Sequence, residues 1–234
     1  MELIRNFWDT KSIRDFENYL NTLSRPEKVE WTKNISCTNL KLLAIPNPNL
    51  KKIAKEIHKG NYISFWDNCN FSTYEMTLIY GYLLNFEKNF QTLQMYLKKY
   101  LPHVDCWASC DILKFNNKLP QEELFNLAIS YTHSKETFTR RIGLKIMLAY
   151  TNNSAYLEKI FNVLNSFEYE QEYYVNMIVS WLFCEMFIKH KSETYKFLKT
   201  HKLNTFCINK GIQKCRDSFR VSPEDKQILL KYKK

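Results

Sequence analysis

Apolar residues recur at helical spacing along almost the whole chain, and few residues interrupt them. Of the 234 residues, only four are glycine and six are proline. Both residue types weaken or end helices, so their scarcity favours long helical stretches. No segment shows the sustained apolar–polar alternation of a half-buried strand. The sequence therefore predicts an all-α protein.

Short polar joints divide this pattern into about 12–14 helices. The predicted helices span residues 12–23, 26–35, 47–59, 72–84, 86–99, 104–114, 120–131, 135–150, 154–164, 171–189, 191–200, 203–215 and 222–232. Residues with good N-cap chemistry precede several of them, namely Ser72, Ser134, Ser154 and Ser222. Helix pairs recur roughly every 35–45 residues, close to the length of HEAT-type repeats, although the pairs share no sequence similarity. Either a bundle or a solenoid of helix pairs would fit, within one domain over residues 1–234.

Composition excludes several classes of protein. Hydrophobic residues make up 45% of the chain and aromatic residues 15%, enough for a large core. No apolar run approaches the roughly 20 residues of a membrane span, and the N-terminus lacks an apolar signal core, so we expect a cytoplasmic protein without a membrane partner. The seven cysteines are odd in number and irregularly spaced, which argues against disulfides. The scarcity of glycine excludes Gly-rich phosphate loops, and no cofactor is expected.

Positive charge is concentrated at the C-terminal end. The formal net charge is +10, and residues 196–234 contain eleven Lys or Arg against three acidic residues. The preceding 195 residues are nearly neutral, with 23 basic and 21 acidic side chains. A basic end can bind a polyanion such as nucleic acid, or it can simply be a solvated surface.

The segment HVDCWASCDILKF, residues 103–115, concentrates reactive side chains. Cys106 and Cys110 are four residues apart and would share a helical face, but no second Cys/His pair at ligand spacing completes a zinc site. We therefore expect no metal and interpret the cysteines as small core residues. Trp107 and Asp111 share a different face. A carboxylate beside an indole in a cleft can stabilise a developing cation, whereas an exposed one has no such role.

Two later helices carry further candidates. Arg140 and Arg141 precede an apolar helical stretch, and one of them would project toward a cleft or a partner helix, where it could hold phosphate. Trp181 lies beside the apolar face of the helix at 171–189, and a lone tryptophan there favours the core. Trp31 is a further aromatic residue on an early helix.

Taken in order, these residues resemble the AlkD-type DNA alkylation-repair glycosylases. The segments YYVNMIVSWLFCEMFIKH and INKGIQKCRDSFRVSPEDK are similar to the C-terminal part of that family, and AIPNPNLKKIAKEI is similar to its early proline-containing helix. The resemblance implies a right-handed solenoid of HEAT-like repeats that binds double-stranded DNA. It further implies removal of cationic N3- and N7-alkylated purines by hydrolysis of the N-glycosidic bond, without base flipping.

The resemblance also implies roles for individual residues. Asp111, Trp107, Trp181 and Arg141 correspond to the family's catalytic cluster; Arg141 is preferred to Arg140 because it directly precedes the apolar run IGLKIML. Trp31 falls where the family has an aromatic residue near the DNA. Lys210, Lys214 and Arg220 of the basic end would contact phosphates, and the protein would act as a monomer. Two alternatives remain open: a non-catalytic helical-repeat nucleic-acid-binding protein and a protein-interaction scaffold.

Overall fold

The computed structural model describes residues 1–234 and contains helices but no strands. Its fourteen α-helices are α1 Thr10–Thr22, α2 Val29–Ser36, α3 Asn47–His58, α4 Tyr62–Asn68, α5 Tyr74–Leu84, α6 Phe90–Tyr100, α7 Trp107–Asp111, α8 Gln121–Thr132, α9 Thr137–Met147, α10 Leu157–Asn165, α11 Tyr173–Lys189, α12 Lys191–Leu198, α13 Thr205–Asp217 and α14 Pro223–Leu230. Four short 3₁₀ helices accompany them: Pro26–Lys28, Leu101–His103, Leu148–Tyr150 and Ser154–Tyr156. The all-α prediction is confirmed. None of these helices is both long enough and apolar enough to cross a membrane.

The chain divides into two compact units, Met1–Gln121 and Glu122–Lys234. The first unit contains α1 to α7, and the second contains α8 to α14. The boundary falls after Gln121, the first residue of α8. The solenoid arrangement and the single domain over residues 1–234 stay predictions.

The first unit is built around α5, in which ten of eleven residues are buried. Helices α3 and α6 pack against it. A cluster of aromatic rings fills the space beside α1 and α4: the Trp8 ring meets Phe65 at 5.2 Å and Phe16 at 5.5 Å, both edge to face. Such pairs contribute about 0.5–1.5 kcal/mol each beyond their buried area.

The second unit is built around α11, which packs against α9, α12 and α13. Ten of its seventeen residues are buried, so the helix lacks a broad polar face. Gly211 allows α13 to approach it closely, because a Cβ atom added at this position would lie 2.6 Å from Cδ1 of Phe183. This glycine is therefore required by packing between two helices.

Three details of the helix prediction were wrong. Helix α4 was missed, because its short sequence YISFWDN lacks strong helix formers; the Asn61 side chain caps it, and the burial of Phe65 and Trp66 stabilises it. The helix expected at 104–114 is shortened to the five residues of α7, with extended backbone at Cys106. The N-caps at Ser72, Ser134 and Ser154 are replaced by Thr73, Glu136 and Asn153, whereas Ser222 caps α14 as predicted.

Candidate active site

Helix α7 carries Trp107 at its first position and Asp111 at its last, so the two side chains are one turn apart. Both are half-buried. The indole Nε1 of Trp107 donates a hydrogen bond of 3.0 Å to the carbonyl oxygen of Ile35, at the end of α2. A carboxylate at the C-terminal end of a helix faces the negative end of the helix dipole. Helix stability therefore does not account for the position of Asp111.

Long-range hydrogen bonds hold α7 in place at both ends. Before it, the Asp105 carboxylate accepts bonds from Thr38 Oγ1 at 2.7 Å and from the Asn39 backbone N–H at 2.6 Å. After it, the side chain of Asn85 donates to the carbonyl oxygen of Ile112 at 2.9 Å and accepts from the N–H of Lys114 at 2.6 Å. These bonds end the helix on both sides, which explains why it is shorter than periodicity predicts.

The two cysteines of this segment are core residues. Cys106 and Cys110 are fully buried, and none of the seven cysteines in the chain forms a disulfide. Burial raises the pKa of the Cys106 thiol, which disfavours the reactive thiolate. No group of three or more His, Cys, Asp or Glu side chains is arranged to hold a metal ion.

Trp31 is the most exposed tryptophan of the first unit. It lies on α2, and 64% of its surface is accessible. A tryptophan this exposed contributes little to the core, and its indole is accessible from the surface. The same helix accepts the Trp107 hydrogen bond through Ile35, four residues farther along the chain. Helix α2 thus carries Trp31 and also anchors Trp107 through a hydrogen bond.

The adjacent arginines of α9 have different environments. Arg140 forms a two-pronged salt bridge with Glu170, at 2.8 and 3.1 Å, so that carboxylate neutralises its charge. Arg141 is only 6% exposed, and its Nη1 donates a 2.6 Å hydrogen bond to the carbonyl oxygen of Tyr174 on α11. Arg141 is therefore a buried cation oriented by a backbone carbonyl. The structure places it against a partner helix, one of the two orientations expected from the sequence.

Trp181 is half-buried on α11 and is not part of the core. The Nζ atom of Lys145 lies 5.6 Å from the centroid of its ring, a cation–π contact. Lys145 follows Arg141 by four residues on α9, so two cations share the face of that helix. Sequence reasoning missed Lys145. The signal that could have found it is its spacing from Arg141, one turn along the same amphipathic helix.

The candidate phosphate-binding residues of the basic end are not equivalent. Lys210 and Lys214 are four residues apart on α13, half-buried, and neither forms a salt bridge. Arg220 is already paired with Glu185, through bonds of 2.6 and 3.2 Å. Burial raises the pKa of Glu185, but the Arg220 guanidinium and Lys189 outweigh it, so the net shift is downward and favours the ionised pair. Arg220 would have to leave this partner, or share it, to contact phosphate.

Each unit thus presents part of the predicted cluster. The first brings Trp107 and Asp111 onto one helical turn, and the second brings Arg141, Lys145 and Trp181 onto the packed helices α9 and α11. The convergence of the two parts in one cleft stays a prediction.

Comparison with known proteins identifies the family. A search of curated proteins finds no match to this chain. A family model described as DNA alkylation repair enzyme matches residues 16–215, which includes Trp107, Asp111, Arg141 and Trp181. Because this match covers most of the sequence, the chain belongs to the family of AlkD-type DNA alkylation repair enzymes.

Proposed function

We propose that this protein is a DNA glycosylase that releases cationic N3- and N7-alkylated purines from duplex DNA by hydrolysis of the N-glycosidic bond. The observation that carries the proposal is the family match over residues 16–215, which spans all four residues of the proposed catalytic cluster. The fixed position of Asp111 beside Trp107 on α7 supports it.

The chemistry requires little from the protein at the leaving group. An N3- or N7-alkylated purine carries a positive charge, so it departs as a neutral base and needs no general acid. Positive charge then develops on the deoxyribose, which becomes oxocarbenium-like. A carboxylate held nearby stabilises that charge and can orient the attacking water. In this proposal Asp111 has that role, and the indoles of Trp107 and Trp181 attract the cationic nucleoside through their π faces.

In this proposal the second unit supplies cations that bind the DNA backbone. Arg141 is oriented in advance by the Tyr174 carbonyl, so little side-chain entropy is lost when it binds an anion. Lys145 lies one turn away against Trp181 and adds a second positive charge. Paired cations at this spacing suit adjacent oxygens of one phosphate or of two neighbouring phosphates.

The proposed architecture is a right-handed solenoid of HEAT-like repeats whose concave face holds the duplex. Trp31, Lys210, Lys214 and Arg220 would contact DNA outside the catalytic cluster. The proposed reaction does not require the alkylated base to enter a pocket, because the proposed catalytic groups contact the sugar and the phosphate.

Base release from methylated duplex DNA tests the proposal, with Asp111→Asn compared with wild type. We expect wild type to release 3-methyladenine or 7-methylguanine, and the variant to be slower by roughly 10²–10³-fold, because it loses an electrostatic stabiliser of the transition state. Asp15→Asn makes the same chemical change at an exposed position of α1 and should release base at the wild-type rate.

Two outcomes would contradict the proposal. Equal release by wild type and Asp111→Asn would remove Asp111 from the mechanism. Absence of release by wild type, with DNA binding that weakens as salt increases, would instead favour a non-catalytic nucleic-acid-binding protein.

A further inference from the structure

A cavity of about 360 Å³ lies in the first unit, between the start of α2 and the start of α3. One wall consists of Arg25, Lys28 and Trp31, and the opposite wall includes Ala44, Asn47 and Tyr74. Its volume lies at the lower end of the range for small-molecule sites, about 300–1,000 Å³. It therefore suits a ligand the size of one nucleotide.

The charged groups lining this cavity are all positive. Arg25 and Lys28 line it, and no acidic residue does. Two glutamates, Glu27 and Glu30, lie on the same segment but are not part of the lining. Arg25 and Lys28 are both exposed, and neither forms a salt bridge. Two unneutralised cations on one wall favour an anionic ligand, and phosphate is an anion that arginine and lysine both bind.

An aromatic surface lies beside these cations. Trp31 lines the cavity while 64% of its surface is exposed, and the buried Tyr74 contributes to the opposite wall. An accessible indole provides a stacking surface for a nucleobase, and stacking does not depend on which base is present. Phosphate-binding cations and a stacking indole in one cavity together match a nucleotide better than they match a simple anion.

The far wall of the cavity is rigid. Ala44 has a left-handed backbone conformation, with φ of 56°, which is costly for any residue with a Cβ atom. The buried carboxylate of Glu75 imposes this conformation by accepting hydrogen bonds from the N–H groups of Leu43 at 3.1 Å and Ile45 at 3.4 Å. The backbone on this side of the cavity is thus fixed by the fold before any ligand binds.

We propose that this cavity binds a single unpaired nucleotide, whose base stacks on Trp31 and whose phosphate lies between Arg25 and Lys28. The same chemistry is offered by a free nucleoside monophosphate and by an extrahelical nucleotide in a DNA strand. This site would give Trp31 a more specific role than general contact with DNA. It rests on the proposed function only where the bound nucleotide belongs to a DNA strand. It does not involve Asp111 or base release.

Three probes separate these sources: adenosine 5′-monophosphate, a labelled duplex with one unpaired adenine, and the fully paired duplex of the same sequence. Binding is measured by tryptophan fluorescence for the mononucleotide and by fluorescence anisotropy for the duplexes. We expect the affinity of the wild-type protein for the bulged duplex to be at least about tenfold higher than for the paired one. Stacking of one additional base on an aromatic side chain implies a difference of this size.

Variants of the cavity should remove this preference. We expect Trp31→Ala, and the double variant Arg25→Gln/Lys28→Gln, to bind both duplexes with similar affinity. Lys33→Gln removes a charge from an exposed position of α2 outside the cavity and should keep the preference. All the substituted side chains are exposed, so the variants should fold, which circular dichroism verifies.

Saturable, Trp31-dependent quenching by the mononucleotide supports free nucleotide as a ligand, and a bulge preference without it supports a strand nucleotide. Equal affinity for both duplexes with no mononucleotide binding overturns the proposal, as does a preference that survives Trp31→Ala. Asp111→Asn should retain the bulge preference, so failure of the proposed glycosylase and failure of this site give different results.

Discussion

Glu75 is a fully buried carboxylate whose ionisation should affect stability. Burial raises its pKa above the usual value of 4.5, and hydrogen bonds from the backbone N–H groups of Leu43 and Ile45 oppose that shift without cancelling it. A pKa higher in the folded than in the unfolded state means that the folded protein binds the proton more tightly. The stabilisation is therefore complete below about pH 4.5 and is lost as pH rises through the folded-state pKa.

We predict that Glu75→Gln lowers the free energy of unfolding by about 1–3 kcal/mol. One Glu75 oxygen accepts from the N–H groups of Leu43 and Ile45, and a glutamine Oε1 can still do so. The amide NH₂ replaces the other oxygen, which also accepts from Leu43, and it brings one buried donor against another. The variant should also lose the pH dependence that Glu75 contributes, so its deficit should shrink as pH increases from 4.5. Urea unfolding of both proteins between pH 4.5 and 8 measures both effects. A constant difference across that range would show that Glu75 does not titrate differently on folding.

Residue contacts within one helical turn could be predicted from the sequence, and contacts between distant residues could not. The pairing of Trp107 with Asp111 on one turn follows from their spacing alone. The hydrogen bond from Trp107 to Ile35 joins residues 72 positions apart, and no local pattern encodes it. Likewise, helical spacing did not separate Arg140 from Arg141, and only the family resemblance favoured Arg141. The structure pairs Arg140 with Glu170, 30 residues away.

Among the elements, long amphipathic or apolar helices were predicted well and short ones poorly. Helix α11 was predicted over 171–189 and observed over Tyr173–Lys189, because its length allows periodicity to be recognised. Helix α4 is seven residues long and depends on tertiary packing of Phe65 and Trp66. Helix propensity reflects only the local sequence and does not include such packing. The length of α7 is likewise fixed by side chains from other segments, Asn85 among them.

The contact between α11 and α13 provides a prediction at this scale. Gly211→Ala would gain roughly 1 kcal/mol from helix propensity if α13 stood alone. Here the added Cβ would lie 2.6 Å from Phe183 Cδ1, so the helices must separate or Phe183 must shift. We expect a net destabilisation of about 1–3 kcal/mol, as in other overpacked cores. A thermal unfolding midpoint equal to or above that of wild type would show that Phe183 yields without cost.

For the whole molecule, the sequence predicted the charge distribution correctly but not the state of each charge. The basic C-terminal end is present on α13 and beyond, where Lys210 and Lys214 form no salt bridge. Arg220, counted with them from the sequence, is paired with Glu185. Counting charges along a chain cannot detect such pairing, because the partner lies on another helix. The effective charge available to a polyanion is thus lower than the count.

This difference predicts how DNA binding depends on salt. Each phosphate contact adds about 0.9 to the slope of log affinity against log salt concentration. If Lys210 and Lys214 each contact a phosphate, Lys210→Gln/Lys214→Gln should reduce the slope by nearly two. Arg220→Gln should reduce it by less than one, since Glu185 competes for the guanidinium. Lys59→Gln, which removes an exposed lysine already paired with Glu56 at 2.7 Å, serves as the control and should leave the slope unchanged.

Fluorescence anisotropy with a paired duplex at several sodium chloride concentrations gives these slopes directly. A reduction for Arg220→Gln as large as that for the double lysine variant would mean that DNA displaces Glu185 from Arg220. An unchanged slope in the double variant would place the phosphate contacts elsewhere. The basic end would then be a solvated surface, and the affinity for DNA would have to come from other cations, with Arg141 and Lys145 of α9 the first to be substituted.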